Sequence, residues 1–271
     1  MKCDLCPRKC LVDRKKGEKG ICGQTENLKV ARAALHFWEE PCISGDAGSG
    51  AVFFSGCPLH CVFCQNENIA NGTVGKEISL ERLVDIFLEL QEKRANNINL
   101  VTPGHFVPQI VKALDQARKE GLTLPVVYNT SSYETVDTIK MLEGYVDIYL
   151  PDFKYMSPGL SKKYSHAPDY AEVAKAAIAE MVRQTGKAVF VNGDEDNLIL
   201  RGTIVRHLTL PGCMADSMQI LKYLHETYGD MIYISIMNQF TPLSNLEKYP
   251  ELNRRITDEE YETLVDYAIE I

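Results

Sequence analysis

From residue 51 onward, short apolar runs alternate with amphipathic stretches. AVFFSG (residues 51–56) stops at a glycine, as a buried strand does. Residues 79–95 then take helical spacing: Leu83, Val84, Phe87 and Leu90 share a face, and Ser79 stands before them as an N-cap. INLVT (98–102) predicts a second strand. Residues 106–119 predict a helix, with Val107, Ile110, Val111, Leu114 and Ala117 on one stripe and Gly121 as its stop. LPVVYNT (124–130) predicts a third strand, and Ser131 with Glu134 has capping-box spacing for a helix through Leu142. VDIYLPD (146–152) predicts a fourth strand, and residues 169–185 an Ala-rich helix. AVFVNGD and LILRGTIVRHLTLP flank residues 193–197 as a hairpin before or within a fifth strand. A helix over 215–228, a sixth strand MIYISIM (231–237) and a last helix opened by Thr257 and Glu260 complete the pattern.

Six strand–helix units with apolar strands predict a parallel sheet covered by helices and joined by right-handed crossovers. The pattern leaves two forms, an open doubly wound sheet and a partial barrel. No Gly-rich phosphate turn follows the first strand, which weakens a dinucleotide-binding reading. Residues 1–50 differ: apolar runs are short, and Gly, Lys and Cys are frequent. This predicts a small Cys-rich appendage over 1–50, joined by a loop with Gly45, Gly48 and Gly50 to a main domain over 51–271.

Composition narrows the function. With 45% apolar and 24% charged residues in a chain of 271, wholesale disorder is excluded. No run approaches 18 apolar residues, and charges near the N-terminus precede no apolar segment, so neither a membrane span nor a secretory signal is expected. The expected location is the cytoplasm. There, nine cysteines read as reduced thiols for metal or cluster binding rather than as disulfides. The net charge of −8 argues against general nucleic-acid binding. Residues 1–22 are a basic exception, with Lys2, Arg8, Lys9, Arg14, Lys15, Lys16 and Lys19 against Asp4, Asp13 and Glu18.

The first predicted strand leads into GCPLHCVFCQN, which places Cys57, Cys61 and Cys64 in a CxxxCxxC loop at the strand's C-terminal end. Barrel active sites lie on that face. Three thiolates can ligate three irons of a cubane and leave the fourth open. A zinc site completed by His60 or Cys42 is the alternative, although zinc sites more often use paired CxxC spacings.

The triplet, with Phe63 before its last cysteine, resembles the radical S-adenosylmethionine (SAM) superfamily. The resemblance implies a full or partial TIM barrel, hence here an α/β partial (β/α)6 barrel with the Cys-rich appendage. It implies a 4Fe–4S cluster on Cys57, Cys61 and Cys64 whose open iron takes the methionine part of SAM. An electron then cleaves SAM to methionine and a 5′-deoxyadenosyl radical that abstracts hydrogen from a substrate. From Cys3 to about Pro242 the chain is similar to relatives of the pyruvate formate-lyase activating enzyme. YLPDFKY (149–155) resembles the activase strand ending in Asp-x-Lys, which assigns Asp152 and Lys154 to the catalytic set. VRHLTLPG (205–212) resembles the strand that carries an Arg, here Arg206. YNTSSY (128–133) resembles the polar turn near the SAM ribose, which makes Asn129 and Thr130 cofactor contacts. Asn238 or Gln239 after the sixth strand could face adenine or substrate. One segment departs from the subgroup. Where activases carry a Gly-Gly-Glu-type turn for the SAM amino group, this chain has Thr102-Pro103-Gly104-His105. Thr102 and Gly104 would offer carbonyls there, with His105 in place of the acid.

Cys3, Cys6, Cys10 and Cys22 form a second set, CxxCxxxCx11C, suited to a closed zinc site or to an Fe–S cluster. Cys42 and Cys213 read as inert thiols. No GxSxG elbow, Walker loop or HExxH helix is present. The expected function is therefore an oxygen-sensitive radical SAM enzyme with SAM, a flavodoxin- or ferredoxin-type electron donor and a protein substrate as partners, the substrate being a glycyl radical enzyme to be activated. Two readings stay beside it: a radical SAM enzyme for a small metabolite, and a non-catalytic Fe–S or zinc protein that binds nucleic acid through its basic N-terminus.

Overall fold

The computed structural model describes residues 2–194, 197–243 and 246–271. In chain order the elements are β1 (Lys29–His36), α1 (Pro41–Ser44), β2 (Ser49–Phe54), α2 (Glu67–Ala70), β3 (Lys76–Glu77), α3 (Leu80–Glu92), β4 (Ile98–Val101), α4 (Val107–Lys119), β5 (Val126–Thr130), α5 (Val136–Lys140), β6 (Ile148–Pro151), α6 (Pro158–Ser165), α7 (Tyr170–Thr185), β7 (Val189–Phe190), β8 (Ile199–Leu208), α8 (Met214–Tyr228), β9 (Tyr233–Met237) and α9 (Asp258–Glu270). Strands β2, β4, β5, β6, β8 and β9 pair in parallel in that order, which gives the six units of a partial barrel.

Helices α3, α4, α7, α8 and α9 form where the pattern placed them, whereas α6 stands where no helix was expected and α5 covers only part of the helix expected over 131–142. Ser79 accepts from the Arg82 N–H and opens α3, whose Leu83, Val84, Ile86, Phe87 and Leu90 are buried. Burying each such side chain contributes roughly 1.5–3 kcal/mol. Around α9 both halves of the Thr257–Glu260 capping box are made. β7 and β8 form the expected hairpin, although part of its turn, residues 195–196, lies outside the described residues.

Two further expectations change. The anticipated boundary at residue 50 runs through β2, and β1 pairs antiparallel with β2 from Val30 opposite Phe54 to His36 opposite Ser49. Residues 29–36 and 49–50 therefore belong to the sheet; Leu28 and Val30 sit in the same core as α3 and α4. KVARAALH lacks the continuous apolar run of a central strand because most of it is only half-buried, with Arg32 and Ala33 exposed. The Ser131–Glu134 capping box does not form. Thr135 caps the short α5 instead, and Glu134 is buried.

Within the barrel, inward positions follow a period of two. Val127 in β5, Ile148 and Leu150 in β6, and Ile204 in β8 fill the lower interior with Ile43 of α1. Two residues further along these strands, the same inward register carries Asn129, Asp152 and Arg206, which line a cavity. Alternation thus converts an apolar floor into a polar upper chamber without any change of backbone direction.

Candidate active site

The cavity holds about 450 Å3, within the range of sites that enclose a small organic ligand. Its walls combine the strand ends with the loop after β2, from which Cys57, Cys61 and Cys64 all reach it.

One charged network crosses the chamber. Lys154 Nζ donates to Asp152 Oδ2 at 2.7 Å, and Arg206 Nε donates to Asp152 Oδ1 at 2.9 Å. Arg206 Nη2 donates to Asn129 Oδ1 at 2.8 Å, and Nη1 lies 3.3 Å from Glu39 Oε1. Glu39 also accepts from Asn129 Nδ2 at 2.6 Å and from Asn99 Nδ2 at 2.9 Å. Burial alone would raise the Asp152 carboxyl, but the Arg206 and Lys154 cations outweigh it and hold Asp152 below its ordinary range. Burial works against both cations as well, and Asp152 keeps each of them protonated. Two carboxylates and two cations thus stand balanced on one wall.

The cysteine loop is shaped for thiolates. Backbone N–H groups of Leu59 and His60 face the Cys57 sulfur, and that of Asn66 faces Cys64. Ser165 Oγ donates to Cys61 Sγ at 3.0 Å. In the thiol form, burial and then the neighbouring Cys61 push Cys57 up to about 12, so losing its proton requires a positive partner such as iron. Three half-buried thiols on one loop beside a cation pair fit a cubane with one iron left to an external ligand. His60 does not complete the set: its ring bonds the Ile21 carbonyl at 2.8 Å and Asn71 Oδ1 at 3.1 Å.

Of the other expected residues, Thr102, Asn129, Thr130 and Gln239 line the cavity, whereas Phe63, Gly104 and His105 are not among its lining residues. Phe63 packs edge-on against Tyr164 and Phe240, supporting the cysteine loop from behind. His105 is buried, with Nε2 2.7 Å from the Ser55 carbonyl, so it ties two loops together instead of facing the cavity. Burial drops its ring to about 4 and keeps it neutral. Gly104 packs against Glu134, which takes a hydrogen bond from the Thr130 hydroxyl. Thr102 holds a left-handed backbone (φ +55°), a conformation a β-branched residue adopts at a cost. Cys42 packs with the lower core, and Cys213 sits in the cluster beneath the cysteine loop.

Sequence reasoning missed Trp38, Glu39, Asn99 and Ser131, all of which line the cavity. Glu39 and Trp38 belong to the β1–α1 connection, which no strand periodicity placed near the barrel mouth. The doubled acid in WEEP, just ahead of the glycine-rich loop that leads into the first barrel strand, was the available signal.

Residues 51–197, just over half of the chain, match the Radical SAM superfamily. An uncharacterised protein of Methanocaldococcus jannaschii is 27% identical over 98% of this chain and 74% of its own length. The fold is similar to the crystal structure of HydG, a maturase of the FeFe-hydrogenase, with TM-score 0.51 and 14% identity over 78% of this chain. It is similar also to methylornithine synthase (PylB), with TM-score 0.52 and 14% identity over 79% of this chain. The chain spans 46% and 59% of those two structures' lengths. With a parallel partial barrel and a matching segment that contains all three cavity cysteines, the chain belongs to the radical SAM superfamily.

Proposed function

We propose that this protein binds a 4Fe–4S cluster on Cys57, Cys61 and Cys64, cleaves SAM reductively beside it, and uses the product to take hydrogen from a protein or peptide substrate. The observation that carries this reading is the cavity itself, with three cysteines on one loop facing a wall of Asp152, Lys154, Arg206 and Glu39. When bound, the cluster supplies the single electron that breaks the sulfonium–carbon bond of SAM.

The chain's own residues bind and orient. Lys154 and Arg206 suit the carboxylate of the methionine moiety, and Asp152 and Glu39 suit its ammonium and sulfonium charges. A zwitterion would exchange partners with an already paired network, so no charge need be buried alone. Asn129, Thr130 and Ser131 present the polar groups that ribose hydroxyls require, and Gln239 sits at the opposite lip with Gln65, its backbone carbonyl 3.5 Å from Gln65 Nε2. The Thr102 turn after β4 replaces the Gly-Gly-Glu turn of activases; its left-handed backbone keeps the bend that glycine would otherwise supply.

Support for a macromolecular substrate comes from the mouth. Trp38 lines the cavity yet remains 88% exposed, next to the half-exposed Phe37. Large apolar side chains left uncovered beside a polar chamber suit a partner that closes it. An activating role toward a glycyl radical enzyme, with a flavodoxin or ferredoxin as electron donor, is the specific form of this reading.

The test is anaerobic reconstitution with iron and sulfide, reduction, addition of SAM and mass-spectrometric detection of 5′-deoxyadenosine. Production by the native protein and its loss in Cys57→Ala is the expected result. A fully assembled cluster that yields none overturns the assignment. Size-fractionated extract then separates the substrates: stimulation by the macromolecular fraction, reduced in Trp38→Ala, supports a protein substrate, and stimulation by the small-molecule fraction alone overturns it.

A further inference from the structure

Four cysteines take no part in the chemistry above. Cys3, Cys6, Cys10 and Cys22 stand on a segment, residues 2–28, whose regular structure is a single turn of 3-10 helix at Arg14–Lys16. Two tight turns bring them together. The Cys3 N–H donates to Val12 O at 2.9 Å and the Leu11 N–H to Cys3 O at 3.0 Å, which pairs the arms of the first turn. The second turn closes on the first through the Ile21 N–H, 3.3 Å from Cys10 Sγ. Gly20 permits that approach: a Cβ there would stand 3.0 Å from the same sulfur.

The segment grips the barrel rim at several loops. From the first turn, Arg8 Nε donates to Pro58 O at 2.9 Å, and the same guanidinium reaches the carbonyls of Ser165 and His166 and lies over the Tyr133 ring. Leu5 O accepts from Thr138 Oγ1 at 2.7 Å. Arg14 is buried and donates to His105 O, in the turn after β4. From the second turn, Ile21 O meets His60, and Cys22 O packs so closely on Gly56 that a Cβ there would come within 2.4 Å. Gly56 and His60 bracket Cys57. So small a segment, with one 3-10 turn as its regular structure, needs a staple to hold these positions.

We propose that Cys3, Cys6, Cys10 and Cys22 bind a second, thiolate-held metal centre, zinc or an iron–sulfur cluster, and that this centre braces the Cys57–Cys64 loop through the Cys22–Gly56 and Ile21–His60 contacts. Both occupants use the same chemistry: each thiol that ligates loses its proton to solvent and forms a metal–sulfur bond, with no change of oxidation state required. Among the described residues no three such side chains stand at the spacing of a single ion, so filling the site with zinc would draw the two turns inward. The inference rests on the proposed function only in calling the braced loop the SAM-cluster loop.

The full chain carrying Cys57→Ala, Cys61→Ala and Cys64→Ala, purified without oxygen, isolates the question. Elemental analysis is expected to find one zinc per chain, or iron with matching sulfide, and to lose either when Cys6→Ser and Cys22→Ser are added. Absence of stoichiometric metal in a folded triple variant overturns the site. Should that variant not fold, the native protein stripped of its SAM cluster by air is assayed for residual metal in the same way. Hydrogen–deuterium exchange then tests the brace: removing the metal with a chelator is expected to raise exchange at residues 56–62 along with residues 2–25. His60→Ala should retain the metal while losing the protection at 56–62. Unchanged exchange at 56–62 on metal removal overturns the brace. Because no SAM cluster is present in the variant, a failed 5′-deoxyadenosine assay leaves these outcomes untouched.

Discussion

Arg206 is the residue on which the charged wall depends. It stands between Asp152 and Glu39, with side-chain exposures of 13%, 18% and 11%. Removing the guanidinium leaves two carboxylates facing each other with Lys154 as their nearest named cation, a defect worth about 3–5 kcal/mol in a buried pair. Arg206→Met is therefore expected to lower the denaturant midpoint and to abolish SAM binding in an equilibrium titration. A variant as stable as the native protein would show that the network is more solvated than its burial indicates. Glu134 poses a separate question of sign. Burial, opposed by the Thr130 hydrogen bond and reinforced by Asp152, raises its carboxyl to about 7. Its unfolded value lies near 4.3, so between these limits the native state holds the extra proton. Stability attributable to Glu134 is thus greatest below the unfolded value and falls as pH rises toward 7, by roughly 4 kcal/mol at 1.36 kcal/mol per unit. In Glu134→Gln the difference from the native protein should grow in the variant's favour across that window and level off above it, as read from unfolding midpoints at each pH.

At the scale of elements, the cysteine loop is held by glycine where it meets the N-terminal segment. Gly56 has φ +94°, and the Cys22 carbonyl fills the space where a side chain would begin. Gly56→Ala meets both obstacles, so the second N-terminal turn is expected to lift from the barrel. Limited proteolysis should then cut within residues 15–25 under conditions that leave the native chain intact. By contrast, Thr257→Ala removes one half of a capping box at the far end of the chain and should cost about 1 kcal/mol, with SAM cleavage unaffected. These elements also show what the sequence could reveal. The six parallel strands and most of their helices were legible from their periodic apolar positions, whereas Asp152, Arg206 and Asn129 were singled out by the resemblance of their segments to those of the activase relatives. β1 was not legible, because a half-exposed strand flanked on its outer side only by the two-residue β3 buries too few side chains to impose alternation. Glu134 was misread because its spacing from Ser131 mimics a capping box, whereas tertiary burial against Thr130 and Gly104 decides its position. His105 was misplaced for a related reason: a turn's location follows from its strand, but which way its histidine points depends on the Ser55 carbonyl of the neighbouring loop.

Across the whole molecule, two neutral histidines join loops on different sides of the barrel. His105 ties the turn after β4 to the exit from β2 through Ser55. His207 bridges the Phe153 carbonyl and Ser217 Oγ, each at 2.8 Å, and so links the loop after β6 to α8. Burial drops both rings to about 4, only partly countered by their carbonyl partners. Unfolded histidine takes up its proton near 6.5, so between 6.5 and 4 the unfolded chain binds more protons than the native one. Stability is then lost as pH falls through that window, by about 3 kcal/mol for each ring. Together the two rings are comparable with the whole folding free energy of an ordinary domain, and Glu134 acts in the opposite direction over a partly overlapping range. The acid limb of the stability curve should accordingly be steep, and a His105→Gln, His207→Gln double variant should flatten it while remaining less stable near neutrality. Denaturant midpoints compared between native and variant protein at each pH give the test, since loss of any acid-labile cluster is common to both. Parallel acid limbs in the two proteins would mean that these rings are protonated in the folded state, and that the loops they join are held by the N-terminal segment instead.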